Sequence, residues 1–284
     1  MSELLLSTNG LTKQYGHHKA VDKVNLHLKK GAIYGFIGRN GAGKTTCLKM
    51  ISGLARPTAG EIEMFGCKGK ELERIRSRVG CLIEAPGLYG NMNAYTNLKI
   101  KCELFGIRKK GYIEDILETV GLEGVGKKKT KHFSLGMKQR LGIGLALVGE
   151  PDLLVLDEPI NGLDPQGIAE VRDTIQRLRD ERNMTILISS HILEELSKIA
   201  TDYGIIHNGS LLQELTSEEL MKRCSERIEI ELIHPEQAVP ILDRMGFTNY
   251  QVTDKEHIHI FERLNESAAL NMELAKSGIP VKGI

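Results

Sequence analysis

Charge of either sign barely prevails in this sequence: 38 Lys+Arg against 37 Asp+Glu leave a formal charge of +1. No overall field therefore recruits nucleic acid or an acidic membrane, and a nucleic-acid role would need a local patch. Cysteine is scarce and scattered. Cys47, Cys67, Cys81, Cys102 and Cys224 are odd in number and include no C-x-x-C pair of the kind that holds zinc or forms a redox couple. A reduced cytosolic setting is expected. No apolar run approaches the roughly 18 residues that cross a bilayer, and the opening MSELLLSTNGLTKQYG has too short an apolar run and the wrong charges for a signal peptide. The chain is not expected to span a membrane by itself. Internal repeats and low-complexity tracts are also missing. What is present, 284 residues at 41% hydrophobic content, suffices for two units of unequal size.

Residues 4–37 read as short strands, LLLSTNGLTKQY, VDKVNLHL and AIYGFIG, separated by polar or glycine turns, and are expected to be antiparallel. KTTCLKMISGL then has helical spacing, and ARPTAGEIEMFG a turn and a strand. Between about 85 and 150 the patterns are mostly helical, in NAYTNLKIKCELFGI, YIEDILETVGL and GMKQRLGIGLALVG, which reads as a helical insertion. DLLVLDEP and MTILISSHI are continuous apolar runs of strand length followed by helices, as buried parallel strands are. Past about residue 216 the order becomes β-α-β-β-α-β, the ferredoxin-like split pattern. The domains are therefore 1–215 and 216–284. KKKTK at 127–131 is a solvated loop or a contact for lipid head groups.

YGFIGRNGAGKTTCL runs a strand into a glycine-rich loop and then a helix, satisfying G-x-x-x-x-G-K-[ST] in the context the pattern needs. Gly38, Arg39, Asn40, Gly41, Ala42, Gly43, Lys44, Thr45 and Thr46 form this loop and the first helical turn. Glycines here let backbone N–H groups and the helix N-terminus face a phosphate. Lys44 would reach the β- and γ-phosphates, and the Thr45 hydroxyl would ligate Mg²⁺. A glycine turn that merely contains a lysine is the competing reading, and LLVLDEP counts against it. That strand carries Asp157 and Glu158 to its end, where alternation sends the two carboxylates in different directions. Asp157 would bind Mg²⁺ or its water, and Glu158 would polarise the water attacking the γ-phosphate. Cys47, on the helix that starts at the loop, is either a thiol with a dipole-lowered pKa or a buried inert one.

Together these residues resemble one family, the nucleotide-binding subunits of ABC transporters, over about residues 4–215 and in the expected order. The resemblance implies an α/β P-loop NTPase with an antiparallel β subdomain, a RecA-like core and a helical subdomain, followed by the small α+β ferredoxin-like domain. It implies ATP with Mg²⁺. Tyr15 sits where the family stacks an aromatic on adenine, although an ordinary strand-end tyrosine looks the same. FSLGMKQR stands in place of the family signature, with Ser134 and Gly136 matching its serine and second glycine. NGLDP, with Asp164, matches the loop that communicates between nucleotide sites, and His191 in ISSHI matches the switch histidine that touches the γ-phosphate.

Two departures stand out. Leu135 replaces a signature glycine, which crowds backbone expected to meet the other subunit's nucleotide. Glu84, after VGCLI, replaces a glutamine whose amide approaches the Mg²⁺ and the attacking water. A carboxylate has no donor and adds negative charge beside metal and phosphates, so it should tighten metal contact or repel nucleotide unless compensated. This glutamate, the SLGM signature and the C-terminal domain are similar to exporters of bacitracin and lantibiotic peptides. The resemblance further implies a head-to-tail homodimer clasping two ATP molecules, and membrane permease subunits on separate chains that hold it at the inner face of the cell membrane. PGLYGNMNAYTNL is the candidate docking groove, ordinary helix packing being the alternative. Importer and lipid-exporter subunits share the core motifs. A repair or chromosome-organising ATPase would carry a long coiled coil between Lys44 and Asp157, and a translation factor of the superfamily would carry two cassettes. The C-terminal unit could regulate, form dimer contacts or simply pack, and fold analogy does not choose.

Overall fold

The computed structural model describes residues 3–224 and 227–283. They divide into two compact units, Met1–Ser217 and Glu218–Ile284. In the first, β1 (Leu4–Tyr15) pairs antiparallel with β2 (His18–Val24) and β3 (His27–Lys29). The strand expected over 21–28 is thus two. Its break at Asn25 is filled by side chains: the Gly10 N–H donates to Asn25 Oδ1 at 2.6 Å, and the Leu26 N–H to Thr8 Oγ1 at 2.9 Å.

β4 (Ile33–Ile37) leaves that sheet, runs into the glycine loop and continues as α1 (Lys44–Ile51). β5 (Ala59–Met64) returns to pair with β1, and β6 (Cys67–Lys68) with β5. After the short α2 (Leu72–Ile75) comes β7 (Val79–Leu82), then the helices α3 (Ala94–Leu104), α4 (Tyr112–Thr119) and α5 (Leu135–Leu147). The remainder alternates: β8 (Leu153–Asp157), α6 (Pro165–Arg182), β9 (Thr185–Ser190), α7 (Leu193–Ser197), β10 (Asp202–His207) and β11 (Ser210–Thr216), which leads into α8 (Ser217–Cys224).

These strands form a six-stranded sheet in the order β11-β10-β4-β9-β8-β7. From β10 to β7 every pairing is parallel. The antiparallel expectation for residues 4–37 is therefore corrected at β4, which is a central strand of the parallel sheet. Its sequence already carries the reason: Ile33, Tyr34 and Phe36 point alternately to both faces and all are buried, which requires cover on both sides. β8 and β9 are likewise buried at every position. Because parallel strands share one direction, β4, β8 and β9 deliver the glycine loop, Asp157-Glu158 and His191 to the same sheet edge. Ligands of open α/β sheets sit outside such carboxyl ends.

In the second unit β12 (Ile228–Leu232), α9 (Val239–Arg244), β13 (Tyr250–Val252), β14 (His257–Ile260), α10 (Ser267–Lys276) and β15 (Val281–Gly283) follow in the β-α-β-β-α-β order. The sheet order is β13-β14-β12-β15, antiparallel throughout. Ile230, Leu242, Phe247, Ile258, Leu270 and Leu274 form its separate core. Among the described residues no helix is long and apolar enough to cross a membrane.

Phe36 is fully buried in the first unit's core. Phe36→Ala is expected to cost about 3–5 kcal/mol in urea unfolding; a loss under about 1 kcal/mol would contradict its central position.

Candidate functional site

The glycine loop closes on α1 through backbone that only glycine tolerates. Gly43, which caps α1, has φ 104°, and a Cβ there would lie 2.4 Å from the Ala20 carbonyl oxygen. Gly41 has φ 81° with nothing within 4 Å of its would-be Cβ, so no other part of the chain crowds the loop there. Arg39, Asn40 and Gly41 are exposed, Ala42 is buried, and Thr45 and Thr46 are half-buried. No side chain caps α1, and so its first N–H groups remain available for an anion.

Lys44 is 5% exposed. Its ammonium donates to the carbonyls of Gly38 at 2.6 Å and Arg39 at 3.2 Å, and lies 3.0 Å from Glu158 Oε1. Glu158 follows β8 in the left-handed region, φ 47°, an uncommon conformation for a residue with a Cβ. Its other oxygen, Oε2, is 2.8 Å from His191 Nδ1. Lys44, Glu158 and His191 thus form one continuous chain of polar contacts across the ends of α1, β8 and β9. The Lys44 approach lacks hydrogen-bond geometry, leaving Glu158 Oε1 buried without a donor. That oxygen is held by the Lys44 charge alone, so a carboxylate able to polarise water stands directly against the loop lysine.

Asp157 is buried and accepts from Ser189 Oγ at 2.7 Å; Ser189 in turn accepts from the Glu158 N–H at 2.9 Å. One hydroxyl therefore ties the Asp157 carboxylate to the Glu158 backbone. The sequence reading missed Ser189, yet a serine ending the aliphatic run TILISS is a buried polar group that must find partners. These residues fit ATP with Mg²⁺: an open glycine cradle and uncapped helix for phosphates, and for the metal the Thr45 hydroxyl and the Asp157 carboxylate, the oxygen donors that Mg²⁺ takes alongside phosphate.

Four further expected residues stand outside the Lys44–Glu158–His191 contacts. Tyr15 ends β1, 53% exposed, with Lys13 Nζ 5.0 Å from its ring centroid. Ser134 caps α5, its Oγ accepting from the Met137 N–H at 3.2 Å, and Asp164 caps α6, accepting from the Gly167 N–H at 3.2 Å. Gly136 is buried against α6, since its Cβ would stand 3.5 Å from Gly167 Cα. The serine-glycine stretch and the Asn161–Asp164 loop are consequently neighbours. Leu135 is 47% exposed rather than folded into the chain.

Glu84 has φ 63°, and its Oε1 pairs with Lys49 Nζ on α1 at 2.5 Å. Lys49 was not singled out in the sequence. Its position five residues past Lys44 on the same helix was the available signal. For Cys47 the structure favours the buried-thiol reading over the dipole-lowered one: the side chain is fully buried, and burial pushes its pKa up to about 12. In the KKKTK run the three lysines before Thr130 are exposed, whereas Thr130 is buried and donates to the Tyr89 carbonyl.

Comparison with known proteins agrees with this geometry. The ABC transporter family model matches residues 21–161. The chain is 46% identical over 279 residues to the bacitracin transport ATP-binding protein BcrA of Bacillus licheniformis, covering 98% of this chain and 91% of the relative. It is 44% identical over 211 residues to the lantibiotic transport ATP-binding protein SrtF of Streptococcus pyogenes, covering 74% of this chain and 90% of the relative. An ATP-binding cassette solved as a dimer in a post-hydrolysis state with ADP and phosphate shares the fold at a TM-score of 0.66 and 23% identity, covering 75% of this chain and 98% of the other.

Gly43→Ala is expected to abolish nucleotide binding in a folded protein, because the added methyl meets the Ala20 carbonyl and the left-handed backbone disfavours it. Isothermal titration with ATP and Mg²⁺ checks this; wild-type affinity would mean that the loop does not hold the phosphates.

Proposed function

The chain belongs to the ABC transporter family as an ATP-hydrolysing subunit, and we propose that it powers an exporter of bacitracin- or lantibiotic-type peptide antibiotics. The observation that carries this reading is the 46% identity to a bacitracin transport subunit over 98% of the chain, a span that takes in both units. Glu84 and the leucine-containing signature point the same way. Exporters of other cargo, or importers, share the phosphate loop and strand-end carboxylates and remain the second reading.

In the proposed mechanism the N–H groups of the loop from Gly38 to Thr46 and the Lys44 ammonium hold the phosphates, and Tyr15 stacks on the adenine, worth roughly 1–3 kcal/mol. Mg²⁺, when bound through Thr45 and Asp157 with Glu84 beside them, supplies charge neutralisation at the transferring phosphoryl group. Glu158 accepts a proton from the attacking water through the oxygen that lacks a donor. His191, hydrogen-bonded to the other oxygen, orients Glu158 and reports the γ-phosphate. Ser134 and Gly136 complete the nucleotide site of a second copy, and Asp164, neighbouring them, couples the two sites. The existence of dimeric cassettes of the same fold supports this arrangement.

The permease is expected to be a separate integral membrane protein, since no helix among the described residues spans a bilayer. It would keep the chain on the inner face of the cell membrane. A groove of about 390 Å³ in the first unit, lined by Leu54, Pro86, Tyr89, Lys101, Leu104 and Phe105, supports docking at the PGLYGNMNAYTNL stretch. Leu104 is 80% exposed, an apolar cost that a partner would remove. We read residues 1–215 as the nucleotide-binding domain and 216–284 as an accessory domain.

Glu158→Gln is expected to lower ATP turnover by about 10²–10⁴ while ATP still binds and drives dimerisation, measured by phosphate release and sedimentation. In a sensitive host carrying the permease, the wild-type chain should raise the inhibitory concentration of bacitracin several-fold and Glu158→Gln should not. Turnover near wild type removes Glu158 from its role, and unchanged susceptibility with the wild type removes the antibiotic.

A further inference from the structure

Glu84 places a full negative charge where the family pattern has a neutral amide, beside a site that must also hold Asp157, Glu158 and a triphosphate. Unanswered, that charge would weaken nucleotide binding. The structure supplies the answer on α1. Lys49 Nζ stands 2.5 Å from Glu84 Oε1, and among the described residues no other carboxylate lies within ion-pair distance of that ammonium. The lysine is in the last turn of the helix whose first residues are Lys44 and Thr45, so one rigid element sets both cations. β7 pairs in parallel with β8, Leu82 opposite Leu156, so the chain that leaves β7 into Glu84 emerges at the same sheet edge as Asp157 and Glu158.

Fold stability does not account for this pair. Its side chains are 33% and 64% exposed, and ion pairs so open to solvent contribute little to stability. Glu84 also adopts the left-handed conformation, at φ 63°, which is unfavourable for a residue with a Cβ. A strained backbone ending in a weak surface pair gains the fold little. What the pair does achieve is neutrality: ammonium plus carboxylate carries the same net charge as the amide it stands in for, while keeping a carboxylate oxygen available at the site.

We propose that Lys49 is a positioning residue, the counter-ion that holds Glu84 against α1 and cancels its charge so that a glutamate can stand beside the bound phosphates. This rests on the reading of the site as an ATP site.

The test is equilibrium binding of ATP to the full chain, by displacement of a fluorescent ATP analogue, with and without Mg²⁺. Lys49→Met should weaken ATP binding about tenfold at low ionic strength, and the loss should shrink as salt screens the exposed charge. Lys49→Arg, which keeps the charge, should lose much less than Lys49→Met, and adding Glu84→Gln to Lys49→Met should recover most of that variant's loss, because the uncompensated carboxylate is gone. A purely structural lysine would give losses that Glu84→Gln does not repair. Unchanged binding in Lys49→Met, or equal losses in the single and double variants, would overturn the proposal. Failure of the wild-type chain to bind ATP at all would instead overturn the functional reading beneath it.

Discussion

A lysine ammonium cannot be buried alone, and the arrangement around Lys44 follows from that constraint. At 5% exposure it is held by two carbonyls of its own loop and faces Glu158 at the end of another strand. The loop must therefore curl back on itself, which forces the left-handed glycines. β4 and β8 must also end level, which the parallel sheet with β9 between them provides. The aliphatic core beneath serves to keep three strand ends in register at one edge.

The same accounting of charge extends outward. Asp157 is buried and satisfied by Ser189, Glu158 is shared between Lys44 and His191, and Glu84 is met by Lys49. Each carboxylate at the proposed site thus has a named partner, while one oxygen, Glu158 Oε1, is held by the Lys44 charge alone. Ser134 and Asp164 sit at helix starts where their side chains cap backbone N–H groups. Capping gives each a local task that does not exclude a second one toward another copy of the chain.

Much of this was legible beforehand because short-range chemistry dictates it. The glycine spacing around Lys44, the apolar run ending in Asp157-Glu158 and the strand ending before His191 each specify a local conformation, and the parallel sheet follows from runs that are apolar at every position. The β-α-β-β-α-β order past residue 216 was equally plain from alternation. What escaped the reading depended on contacts between distant segments. β4 was grouped with its antiparallel neighbours in sequence because nothing local says which sheet a buried strand joins. β10 was not separated out, its place being set by parallel pairing with the distant β4, and β11 follows it only as a hairpin partner. The Lys49–Glu84 pair joins a helix to a loop 35 residues away, and Ser189 joins two strand ends 32 residues apart. The thiol of Cys47 was open to two readings until its full burial favoured one.

The most direct test of the account is to purify the Glu158→Gln chain from native membranes in ATP and Mg²⁺ and identify by mass spectrometry what remains bound. The account predicts a small polytopic membrane protein in stoichiometric amount. Recovery of soluble partners or ribosomes alone would contradict it, leaving an ATPase whose work is not transport.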